Sequence, residues 1–168
     1  MTVFVADEQS EILVDLPRWS RLACLTMTEE RAPVDSELSL TFVDEVTIAG
    51  LNERFRGVNG PTDVLAFAMD DDQLSVDPRP ELAGRAPPSQ TELLDPEPPV
   101  VLGDVVICPA IAARQAPEHA STVDDELALL VVHGVLHLLN YDHAKEPEAE
   151  IMQQRERELL ARFRQLES

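Results

Sequence analysis

The 168-residue chain carries 32 acidic against 13 basic residues, a formal net charge of −19, and is 44% hydrophobic. That apolar content suffices for one core of ordinary domain size without disulfides, and the charge argues against broad electrostatic capture of long nucleic acid. The two cysteines, Cys24 and Cys108, lack C-x-x-C spacing and read as reduced thiols; no window approaches the roughly 20 apolar residues of a membrane span.

The amino terminus shows neither a basic region nor a long apolar stretch, so a cytoplasmic location is expected. A strand is predicted near Thr2–Val5, then a helix over about Pro17–Arg31, in which Trp19, Leu22, Ala23 and Met27 recur at helical spacing as a core stripe. A strand follows at Leu38–Val43, and a second helix at about Asp44–Arg54, with Asp44 placed to cap it. Turns are expected at Gly57 and at Gly60-Pro61. The segments TDVLAFAM and VVLGDVVIC are of strand length and composition, and they read as a pair interrupted by an insertion at about 70–99. That insertion holds seven of the 13 prolines and eight acidic residues against Arg79 and Arg85, the composition of a loop or tether.

Beyond it, a short helix ends near Pro117, and TVDDELALLVVHGVLHLL forms a strongly apolar helix whose Asp124 and Asp125 suit its amino end. The last helix is amphipathic, apolar at Ile151, Met152, Leu159, Leu160 and Phe163. Its Arg155, Arg157, Arg162 and Arg164 read as a solvated face balanced by Glu156 and Glu158, with an RNA contact as the alternative.

Three of the four histidines lie within HGVLHLLNYDH. His133 and His137, four apart, stand on one face of a helix and can share one ion. His143 joins them only if the chain reverses after His137, and Asn140 tolerates the left-handed conformation such a reversal needs. Three neutral nitrogens plus a water make an open, catalytic zinc site rather than a closed structural one. His119 stands apart and reads as a surface residue. The spacing equals that of H-E-x-x-H-x-x-G-x-x-H metalloproteases, but Gly134 replaces the glutamate that serves there as general base, which argues against peptide hydrolysis by that route.

HGVLHLLNYDH, LNERFRGVNGPTDVLAF and LGDVVIC, in order, resemble the bacterial YbeY family of metal-dependent endoribonucleases of ribosomal RNA maturation. The resemblance implies an α+β fold: a single compact metallohydrolase domain over 1–168, a small mixed sheet packed with about five helices, and a metal site at the carboxyl end of a core helix. It implies zinc held by His133, His137 and His143, and a catalytic role for Arg56, whose fixed fork suits the non-bridging oxygens of a phosphodiester. Zinc lowers the pKa of a bound water to about 7, so no carboxylate base is needed. Ala66, Ala68 and Asn140 stand where the family usually has Ser, Pro and Gly. The function implied is a zinc-dependent endoribonuclease preferring single strands, acting on the 16S 3′ end and in ribosome quality control. Ribosomal proteins or a ribosome-associated GTPase are the expected partners, with no membrane. The alternatives are a zinc hydrolase of peptides or amides, and a ribosome-assembly factor with a structural metal. Asp142 could orient a ligand imidazole or be a turn carboxylate; Asp63 and Asp104 read as strand-end turn residues.

Overall fold

The computed structural model describes residues 1–69, 98–141 and 146–168. Nearly all of the acidic insertion therefore lies outside the described residues, as do Asp142 and His143. The described elements run β1 (Thr2–Glu8), α1 (Leu16–Glu29), β2 (Ser36–Val43), α2 (Glu45–Arg56), β3 (Val64–Ala68), β4 (Val100–Ile107), α3 (Pro109–Glu118), α4 (Val123–Leu138) and α5 (Glu146–Glu167). This is the expected α+β class, with five helices among the described residues and one mixed sheet in the order β1-β2-β4-β3. β1, β2 and β4 are parallel, and β3 pairs antiparallel with β4, Leu65 opposite Val106 and Phe67 opposite Asp104. Among the described residues no helix is long and apolar enough to cross a membrane.

Local chemistry explains where the helices stop. Asp15 accepts from the Arg18 N–H at 3.1 Å and Asp44 from the Thr47 N–H at 2.8 Å, each taking up a donor that the first turn leaves open. α1 ends at Glu29 rather than at the expected Arg31, because Arg31 adopts φ 57° and Ala32 N–H closes back on the Met27 carbonyl. That is the closure usually built on glycine; arginine in its place carries no local stop signal. α4 ends the same way on Asn140, at φ 71°, with Tyr141 N–H on the Leu136 carbonyl and Asn140 N–H on the His137 carbonyl. The left-handed helix end expected at Asn140 is therefore present, and the return of the chain to His143 lies outside the described residues.

The carboxyl-terminal part of β4, residues 105–107, is buried on both faces, which is why it runs apolar without alternation. Val105 and Ile107 join Leu38, Leu40 and Phe42 of β2 in a core shared with α1, α4 and α5. Val106 turns the other way, to Ile48 of α2, Leu65 of β3, and Cys108 and Ile111. Gly103 stands where the β2–β4 register slips and where β3 comes closest. Its φ is 137°, and a Cβ there would lie 2.0 Å from the Phe67 carbonyl oxygen, so only glycine fits. In α5 the buried stripe is Met152, Glu156, Leu159 and Phe163; Ile151, expected within it, is 62% exposed because it lies one position off that face.

Candidate metal centre

α4 is anchored along its length by Leu127, Val131, Val132, Val135 and Leu136, all essentially buried. This leaves the half-buried His133 and His137 on the remaining face. Their Nε2 atoms converge to 3.1 Å, with ring centroids 4.6 Å apart at 73°. Two nitrogens each about 2.0–2.1 Å from a common tetrahedral zinc would lie about 3.3 Å apart. The observed separation is close to that chord, so the pair fits a shared ion by both geometry and donor type. The third expected ligand, His143, lies outside the described residues, as does Asp142.

On its other side His133 meets a residue expected on the solvated face of the last helix. Glu156 is only 7% exposed, and its Oε1 is 2.6 Å from His133 Nδ1. A signal for this existed: Met152, Glu156, Leu159 and Phe163 follow the spacing of a buried stripe, and a carboxylate at such a position calls for a partner.

Gly134, between the two histidines, packs directly on the sheet. A Cβ there would lie 2.5 Å from Val105 Cγ1 and 3.1 Å from Cγ2. The position that carries the general base in metalloproteases is filled here by the contact of α4 with β4.

Arg56 closes α2. Gly57 follows at φ 67°, and its N–H bonds the Glu53 carbonyl at 3.0 Å. The loop beyond is tied down by Asn52, 4% exposed, whose Nδ2 donates to the Gly60 carbonyl at 2.9 Å. The helix end and loop thus set the arginine on the rim of a cleft of about 550 Å³, lined also by Phe55, Asp63, Phe67, His133 and His137. Arg56 is exposed. Arg54 lies over the Phe55 ring at 5.2 Å. Asp63, expected as a strand-end turn residue, holds β3 to β4 through its backbone carbonyl, which accepts from Cys108 N–H at 2.9 Å, and it also lines the cleft.

Other sequence-singled residues fall away from the cleft. His119 is not isolated: its Nδ1 lies 2.8 Å from Oε1 of the buried Glu126, which also accepts from the Ser121 hydroxyl at 2.7 Å. The arginines of α5 are engaged both within that helix, where Arg157 donates to Gln154 at 2.7 Å, and across to its neighbours. Arg155 bonds Glu30 and Glu158, and Arg164 reaches Asp125 at 3.3 Å. The balanced-face reading therefore holds for Glu158, which pairs with Arg155, but not for Glu156, and Glu30 and Asp125 are among the remaining carboxylates. Burial raises the pKa of both the Cys24 and Cys108 thiols, which suits unreactive packing groups.

The sequence profile of the family described as Endoribonuclease YbeY matches residues 4–164. The chain is similar to proteins of that description from Acidothermus cellulolyticus, at 44% identity over 98% of this chain and 92% of the relative, and from Thermobifida fusca, at 42% over 98% and 95%. A third, from Pelotomaculum thermopropionicum, is 41% identical over 97% of each. Among solved structures, the solution structure of a Thermotoga maritima protein shares the fold, with a TM-score of 0.57 at 22% identity, covering 97% of this chain and 92% of that one.

Proposed function

We infer that this chain, which belongs to the endoribonuclease YbeY family, is a zinc-dependent endoribonuclease that cuts single-stranded segments of ribosomal RNA. The observation that carries the reading is the opening of two converged imidazole nitrogens and one exposed guanidinium onto the same cleft. His133, His137 and His143 would hold the ion, which when bound supplies Lewis acidity and an activated water. Arg56 would bind the non-bridging oxygens of the scissile phosphate, where negative charge grows as phosphorus becomes five-coordinate. Its planar fork stays protonated throughout and needs little reorganisation in the helix-end setting described above. Phe55 and Phe67 give the cleft apolar walls against which an unstacked base can lie.

The reading also accommodates the net charge of −19. Arg56 brings positive charge to the cleft, with Arg54 over the ring of the cleft-lining Phe55, while an acidic exterior disfavours long duplex. Ribosomal proteins or a ribosome-associated GTPase would present the RNA locally, with roles in 16S 3′-end maturation and ribosome quality control. Peptide hydrolysis is disfavoured by the packing of Gly134 on Val105, which leaves no room for a glutamate base on that helix face.

The test is cleavage of ribosomal RNA fragments, free and ribosome-bound, by zinc-loaded and chelator-stripped protein. Cuts within single-stranded segments that vanish on stripping and in His137→Ala are expected. Intact RNA in every zinc-loaded reaction would end the proposal. Loss of folding in His137→Ala would favour a structural metal in an assembly factor.

A further inference from the structure

The burial of Glu156 requires an explanation, because a carboxylate withdrawn from water is unfavourable unless a partner compensates it. The half-buried Arg155 and the exposed Arg157 flank it in sequence, yet it turns away from both, into the stripe of Met152, Leu159 and Phe163. There its Oε1 lies 2.6 Å from His133 Nδ1. An ionised carboxylate only accepts hydrogen bonds, so the contact places the imidazole proton on Nδ1. In the neutral ring the lone pair is then on Nε2, the atom that lies 3.1 Å from His137 Nε2.

We propose that Glu156 is a positioning residue of the metal centre: through its bond to His133 Nδ1 it fixes that ring's tautomer and orientation toward the ion. The proposal rests on the reading of His133 as a metal ligand. It also gives α5 a functional task, since the helix brings the orienting carboxylate to α4 from 23 residues further along the chain. Carboxylate partners of ligand imidazoles typically contribute ten- to hundredfold to metal affinity.

The test uses the full chain carrying Glu156→Leu, which suits the apolar stripe, and Glu156→Gln, which keeps the acceptor but removes the charge. Zinc affinity is measured by chelator competition, and the tautomer of His133 by nitrogen NMR of the metal-free protein at mildly alkaline pH. We expect the wild type to show the Nδ1–H form, and Glu156→Leu to show mixed tautomers with zinc bound about ten- to hundredfold more weakly. Glu156→Gln should fall between them and serves as the test should Glu156→Leu fail to fold. Equal zinc affinity in wild type and variants overturns the proposal, as does an unchanged His133 tautomer in Glu156→Leu. If the wild type itself binds no zinc, the ligand reading falls and the proposal with it. A tautomer shift in that case would identify the ligand reading, rather than the His133–Glu156 coupling, as the failed step.

Discussion

Replacing Gly134 by alanine sets two effects of opposite sign against each other. Alanine is the better helix former, by about 1 kcal/mol in a helix interior. Its Cβ, however, would lie 2.5 Å from Val105 Cγ1 and 3.1 Å from Cγ2, inside any normal contact. Val105 is fully buried in β4, and a β-branched side chain there has little rotamer freedom with which to yield. Overpacking of this kind costs about 1–3 kcal/mol, and a stiff neighbour places it near the upper end. The net expectation for Gly134→Ala is destabilisation by about 2 kcal/mol, or a melting point lower by about 4–8 °C. Urea denaturation of the metal-free protein measures this without interference from metal binding. Val105→Ala in the same background should restore part of the loss, because it removes the methyl groups that the new Cβ meets, which couples the two substitutions. If Gly134→Ala proved as stable as the wild type, the α4–β4 contact would not be tight, and the steric case against a glutamate at this position would collapse.

Arg56→Ala should lower the cleavage rate about 10²–10³-fold at unchanged melting temperature, with Arg56→Lys recovering only part of it because a lysine cannot form the fork. An equal loss of folding stability would instead make Arg56 structural. At the reversal after α4, Asn140→Ala should cost about 1 kcal/mol, whereas Asn140→Gly should be neutral or gain up to about 1 kcal/mol, as read from thermal unfolding. The Tyr141 hydroxyl donates to Glu30 at 2.5 Å, and that bond, with burial, raises its pKa above the ordinary value. A raised value means that the folded state holds the proton more firmly. The stabilisation is therefore complete below the unfolded pKa of about 10 and is lost as pH rises through the folded one. Tyr141→Phe should flatten this alkaline fall in stability; an unchanged alkaline limb would assign it to other groups.

Much of the site could be read from residue spacing. The four-residue interval between His133 and His137, the left-handed tolerance of Asn140 and the capping role of Asp44 are local properties, and each appears in the structure as expected. Contacts made at a distance were harder to see. Glu156 looked like one charge among the arginines of α5 until packing against α4 showed which way it faces. Gly134 signalled a missing base, but not that Val105 occupies the space the base would need. The sheet order, with β4 inserted between β2 and β3, joins segments far apart in the chain and leaves no local mark. Arg31 in a left-handed conformation misled the reading of α1 because its closure is made by backbone bonds that any residue can supply.

The zinc-edge X-ray absorption spectrum of the loaded protein tests the central claim most directly. The account predicts one zinc per chain with three nitrogen ligands at about 2.0–2.1 Å and one exchangeable oxygen, with one nitrogen lost in His137→Ala. A sulfur ligand, a fourth protein ligand closing the site, or a spectrum unchanged by His137→Ala would contradict it.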